Sequence, residues 1–208
     1  KAELILDELA DREICVFPFA GFFGQSAAFP SDPADQELYL RYTLARFGAY
    51  WNLLLNVAGP EPDVHPEKFG DQMKHDDVDR LGQAIKRLDV PGHLLSIHQG
   101  GGTDRYAEAA WRDYVTLQGW KGKEWDEIYQ GMIDNRAAHK PLFAQEVLWP
   151  GNVYNKPFTE AEIRRKAFLL TMAAASINYG DMDGKSSTGF SGSMNLDDRH
   201  QPWHDLIH

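Results

Sequence analysis

Cysteine is almost missing from this sequence: Cys15 is the single one among 208 residues, which excludes an intrachain disulfide framework. One unpaired thiol does not fix the redox compartment. It stands in the apolar run Ile14-Cys-Val-Phe17, where a small buried side chain is expected. Long apolar runs are missing too, and none approaches the ~18 residues of a membrane helix. Positive charge is scarce, with 21 Lys and Arg against 31 Asp and Glu, for a formal net charge of −10. That balance argues against a nucleic-acid partner and against an anionic membrane surface. No low-complexity linker or repeated motif is present. No Gly-rich phosphate loop follows any apolar run, and Gly100–Gly102 is not a dinucleotide fingerprint. No Ser sits in a Gly-x-Ser-x-Gly elbow and Cys15 has no evident His partner, so esterase, lyase and other nucleophilic readings are poor.

What is present suits one domain with a substantial core. Hydrophobic residues make up 43% and charged residues 25%. Aromatics reach 12% with six Trp, several beside Gly, Asn or Gln. Aromatic faces so placed can stack on sugar rings, although packing is the plainer reading for any single Trp. The chain opens at Lys1 inside an amphipathic segment without a cap, and closes at His208 without a stop signal. Both ends read as cut, so the lack of a targeting segment carries no information.

Helical and extended patterns alternate. Residues 1–12 place Leu4, Ile5 and Leu9 on one helical face, and residues 36–47 do so with Leu40, Leu44 and Phe47. Residues 76–88 carry Val78, Leu81, Ile85 and Leu88, and residues 124–137 carry Trp125, Ile128 and Met132. Thr159 and Glu162 form a capping-box pattern that opens a last helix through Ile163, Ala167, Leu170 and Ala174. Between these lie short apolar runs at 14–19, 52–58, 94–98, 114–118, 142–146 and 176–180. Near-continuous hydrophobicity is how strands of a parallel sheet read. Six β/α units, counting an incomplete last one, predict a single α/β domain over 1–208 of the (β/α)8 TIM-barrel type. It is expected to be incomplete, with the first two strands and the chain end missing.

Functional groups cluster after these runs. Asn56, a candidate to bind sugar, lies in the second, which leads through Gly59-Pro60 to Glu61. A carboxyl at a barrel mouth can be held protonated for general acid work. Its plainer reading is a solvated loop acid beside Asp63 and Glu67. Glu146 ends the run Lys140-Pro-Leu-Phe-Ala-Gln, where an isolated charge is costly and must be paired, hydrogen-bonded or functional. Two carboxylates ~5–5.5 Å apart are the retaining-glycosidase arrangement. His98 and Gln99 end a strand and can bond sugar hydroxyls, as can Gln118, Trp120 and Tyr179 after theirs. His93 and His98 stand five apart and so face opposite sides of a strand, which gives no metal site. The Asp- and Gly-rich stretch 178–187 lacks the spaced Glu of an EF-hand. No metal and no cofactor is expected.

The order Arg46-Phe-Gly-Ala-Tyr50-Trp-Asn52 … Ala58-Gly-Pro-Glu61, then Gly92-His93-Leu-Leu-Ser-Ile-His98, then Asp113-Tyr-Val-Thr-Leu-Gln118, then Lys140-Pro-Leu-Phe-Ala-Gln-Glu146 resembles the apiosidase-like family of glycoside hydrolases. These are barrel enzymes of the large retaining clan that also holds cellulases and mannanases. The likeness covers residues 12–182, and its motifs are specific through their order and spacing rather than singly. It implies Glu61 as acid/base and Glu146 as nucleophile, with His98, Gln118 and Trp149 lining the sugar site. Family members commonly carry the acid directly after a Gly pair, whereas Pro60 here precedes Glu61 and shifts the carboxylate by one residue. The resemblance further implies a plant or algal polysaccharide or oligosaccharide as substrate. It also implies another chain or segment that completes the barrel, and a secreted or periplasmic setting. The alternative is a non-catalytic carbohydrate-binding or structural barrel.

Overall fold

A computed structural model describes residues 1–18, 22–23, 29–58, 75–99, 105–117, 125–148 and 159–179. The chain divides into two compact units, Lys1–Gly100 with Arg105–Val115, and Gly101–Asp104 with Thr116–His208. Among the described residues no helix is long and apolar enough to cross a membrane.

The first unit begins with α1 (Ala2–Asp11) and α2 (Pro33–Phe47). Asp32 caps α2: its carboxylate accepts from the backbone N–H of Ala34 at 2.9 Å and of Asp35 at 3.3 Å, and Pro33 supplies the preset first φ. This cap starts the helix three residues before the apolar periodicity does. Parallel strands follow. Val16 bridges Leu53, then β1 (Leu55–Asn56) pairs with β2 (Leu95–Ser96) in the register Leu55 to Leu95 and Asn56 to Ser96. The helix α3 (His75–Leu88) connects them, burying Val78, Leu81 and Ile85 completely as its period requires. A short β3 (His98–Gln99) comes directly after β2. The core gathers Leu6, Leu40, Leu44, Leu53, Leu55 and Leu95 against the inner face of α3.

The second unit runs from β4 (Val115–Leu117), which lies on the boundary in sequence, through α4 (Trp125–Asn135), a 3-10 turn (Arg136–Ala138), β5 (Leu142–Leu148), α5 (Glu160–Met172) and β6 (Ala175–Tyr179). β5 and β6 are parallel, and α5 packs on both. The predicted capping box is formed: Thr159 Oγ1 accepts from Glu162 N, and Glu162 Oε2 accepts from Thr159 N at 2.7 Å. Ile163 and Leu170 are fully buried, as is Met132 on α4. Helices alternating with parallel strands are the α/β class expected from the sequence.

Three expectations are corrected. On α1 the buried side chain is Leu6, while Leu4 is 73% and Ile5 53% exposed. Leu6 and Ala10 lie on the inner side, with Glu3 at its edge paired to Arg46 (2.9 and 3.0 Å), and counting apolar residues alone cannot see that rotation. Cys15 is exposed rather than buried, because Val16, the next residue, makes the inward contact with Leu53 and alternation turns Cys15 out. The last helix stops at Met172, not Ala174. Ala173 takes the buried position, and Ala174 sits exposed at φ +58 to turn the chain straight into β6.

Candidate functional site

In the first unit the polar residues of the apolar strands meet at one level. Asn56 ends β1 and His98 begins β3, and both are buried, at 4% and 1% exposure. The His98 N–H donates to Asn56 Oδ1 at 2.8 Å. Beneath them, Arg112 is 1% exposed, and its Nε donates to the Tyr114 carbonyl at 2.9 Å and to Ser96 Oγ at 3.2 Å. Its Nη2 donates to the Ile97 carbonyl at 3.2 Å, and Ser96 Oγ donates to the Tyr114 carbonyl at 2.6 Å. A guanidinium carried into an apolar strand layer is tolerable only with such acceptors around it.

His93 has a different duty. Its Nδ1 stands 2.7 Å from Asp89 Oδ1 and its Nε2 2.9 Å from the Tyr50 carbonyl. Asp89 Oδ2 also accepts the His93 backbone N–H at 2.6 Å. His93 therefore ties the end of α3 to the turn before β1. Among the described residues no group of His, Cys, Asp and Glu could hold a metal ion.

The exit from β1 is strained. Ala58 is fully buried at φ +46, a left-handed conformation that costs a non-glycine residue about 1–2 kcal/mol. It stands three residues before Glu61. Strain held at a strand end by surrounding structure is a recurring feature of functional sites.

In the second unit Glu146 lies within β5 and Tyr179 ends β6. The ladder is regular from Leu142–Ala175 to Ala144–Ile177, then resumes at Leu148–Tyr179. Between these points β5 advances four residues while β6 advances two. The register break spans Glu146, and such bulges re-aim side chains and gather next to active sites. Gln145, just before it, is 6% exposed, and its Oε1 is buried without a hydrogen-bond partner among the described residues.

The structure thus brings Asn56 and His98 together, and sets Glu146 and Tyr179 on neighbouring strands. Gln99 follows His98 in β3. Glu61, Gln118, Trp120 and Trp149 lie outside the described residues. Sequence reasoning missed Arg112 and Ser96. The available signal was a charged residue in Trp111-Arg-Asp113, immediately ahead of an apolar strand.

No family model and no curated protein matches this sequence. Solved structures do. The chain superposes on a protein of Bacteroides vulgatus ATCC 8482 described as a putative glycoside hydrolase, with a TM-score of 0.64 at 18% identity, over 87% of this chain and 35% of that one. A glycoside hydrolase family 5 protein from the same organism gives 0.64 at 16% identity, over 88% and 43%. A third structure, described as a glycoside hydrolase, gives 0.54 at 17% identity, over 89% and 46%. The chain therefore spans less than half the length of each of these structures. At such identities the shared property is the fold.

Proposed function

We propose that this chain is part of a retaining glycoside hydrolase acting on a plant or algal polysaccharide or its oligosaccharides. The observation that carries the reading is its superposition on glycoside hydrolases over nearly nine-tenths of its length. The register break at Glu146 and the strained exit from β1 toward Glu61 support the two carboxylates. In this reading the parallel strands are an arc of a (β/α)8 barrel, completed by another segment or chain.

The chemistry divides into two displacements. The Glu146 carboxylate attacks the anomeric carbon while the Glu61 carboxyl protonates the departing glycosidic oxygen, leaving a covalent glycosyl ester. Glu61, now ionised, takes a proton from water as that water attacks the same carbon, releasing the sugar and restoring both groups. His98, Gln99, Gln118, Trp120, Trp149 and Tyr179 hold the sugar by hydroxyl contacts and ring stacking.

The test is hydrolysis of a panel of aryl glycosides and plant and algal glycans. Glu146→Gln should lose turnover by about 10³-fold or more, and Glu61→Gln should spare substrates with good leaving groups, which need little proton donation. Azide added to Glu61→Ala should restore rate and give a glycosyl azide of retained configuration. Full activity in Glu146→Gln would remove this mechanism. Sugar binding without hydrolysis by the unaltered protein would establish a carbohydrate-binding module instead.

A further inference from the structure

We infer that Asn56 and Arg112 are positioning residues that together fix His98, and that Asn56 serves the site through His98 rather than by touching sugar; this deepens the glycosidase reading and rests on it. The geometry turns on one peptide group, the link between Ile97 and His98. Its carbonyl accepts from Arg112 Nη2 at 3.2 Å, and its N–H donates to Asn56 Oδ1 at 2.8 Å. Both polar ends of a single peptide plane are therefore gripped by side chains, one from β1 and one from the segment ahead of β4.

The location makes this grip matter. The pairing with β1 covers Leu55–Leu95 and Asn56–Ser96, and Val57 N donates to the Ser96 carbonyl at 2.9 Å. β2 stops at Ser96 and β3 starts at His98, so the Ile97–His98 peptide is the joint between two strands. A peptide plane at a joint has more freedom than one inside a ladder, and its tilt sets the Cα–Cβ direction of the residue after it. Here that residue is His98.

The holding groups are rigid. Arg112 is itself held at Nε by the Tyr114 carbonyl and Ser96 Oγ, and its planar fork presents donors in fixed directions. Asn56, Arg112 and His98 are all at least 96% buried, where hydrogen bonds are strengthened and competing water is excluded. An imidazole that bonds a hydroxyl in a reacting complex must be placed to within about 0.5 Å, and a misplacement near 1 Å can cost about a hundredfold. Two side chains on one peptide plane supply that precision without contact with the ligand.

The experiment compares Asn56→Ala, Asn56→Asp and Arg112→Lys, each alone and with His98→Ala. Two readouts are taken: kcat and KM on p-nitrophenyl glycosides, and NMR of the histidine ring and amide signals, with His98 assigned through His98→Ala. Asn56→Ala should lower kcat/KM about ten- to a hundredfold. In the His98→Ala background the same change should alter kcat/KM less than about twofold, because a residue that acts through His98 has nothing left to position. Asn56→Asp keeps the acceptor oxygen and should recover most of the loss. The His98 amide and ring signals should shift in Asn56→Ala and in Arg112→Lys, while those of His93, held by Asp89 and Tyr50, stay in place. Additive losses with His98→Ala, or unshifted His98 signals, would overturn the inference. If the unaltered protein cleaves no glycoside in the panel, the glycosidase reading fails while the NMR comparison still decides the positioning. If Asn56→Ala does not fold, Asn56→Asp and Arg112→Lys carry both measurements.

Discussion

Gly82 lies in the middle of α3, where alanine is ordinarily the better residue by about 1 kcal/mol. The structure reverses that expectation. A Cβ built on Gly82 would stand 2.6 Å from Trp111 Cε2 and 2.7 Å from Cγ, with Cδ2 nearer still. Carbon atoms need about 3.5–4.0 Å, so the indole would have to withdraw by about 1 Å. It is not free to do so. Trp111 is 4% exposed, its Nε1–H donates to Asp79 Oδ1 at 2.8 Å, and the Tyr106 ring sits behind it with centroids 6.0 Å apart. Overpacking of this kind costs typically about 1–3 kcal/mol and occasionally more. Set against the helix gain, Gly82→Ala should destabilise by about 1–2 kcal/mol, read as a lower urea midpoint with an unchanged slope. The same substitution in a Trp111→Leu background, where the indole is gone, should be neutral or stabilising. A raised midpoint for Gly82→Ala in the unaltered protein would refute the reasoning, since it would mean that the ring yields at no cost.

Ala174→Gly should stabilise by about 1 kcal/mol, because Ala174 is exposed at φ +58 and has little packing to lose; thermal unfolding measures this. His93→Ala should cost about 3 kcal/mol, since the Asp89 carboxylate, wholly buried, would keep among the described residues only its bond from the residue-93 backbone N–H; urea unfolding of His93→Ala beside Asp89→Ala and the double variant checks the coupling. Lys166 is 2% exposed, and burial pushes its ammonium down to about 8 from 10.5, with Glu162 acting the other way. Between these values the unfolded chain holds the proton and the folded one releases it, so stability should rise with pH from about 8 to 10.5 and bear the full penalty below. A shift of that size corresponds to about 3 kcal/mol, which solvent screening reduces to about 1–2. Urea midpoints across that window should rise less in Lys166→Met than in the unaltered protein; equal slopes would remove the assignment.

The sequence was most legible where local chemistry decides structure by itself. Thr159 and Glu162 announced their helix because a capping box needs no tertiary partner. The inner faces of α2 and α3 were legible because Leu40, Leu44, Val78, Leu81 and Ile85 recur at the helical period and all are buried. Where rotation or termination depends on a distant contact, reading failed. Leu4 and Ile5 outnumber Leu6 on α1, yet Leu6 is the side chain that enters the core, on the side where Glu3 meets Arg46, 43 residues away. Ala174 continues the apolar period perfectly, and only the need to enter β6 at Ala175 makes it turn. Asp32-Pro33 was a readable cap that the apolar count began too late to include.

The site poses a harder problem of the same kind. Asn56, Ser96 and His98 interrupt runs that otherwise read as buried parallel strands, Arg112 stands just ahead of another, and each is at most 4% exposed. Taken singly, each is a departure from the pattern that makes such strands recognisable, and an apolar residue of similar volume would cost less to bury. Together they satisfy one another: Asn56 with His98, and Arg112 with Ser96, Tyr114 and the Ile97 carbonyl. These side chains would be costly to bury alone and are tolerated as a hydrogen-bonded set. Apolar periodicity gives no sign of such a set, because each member gains its acceptable environment only from the others.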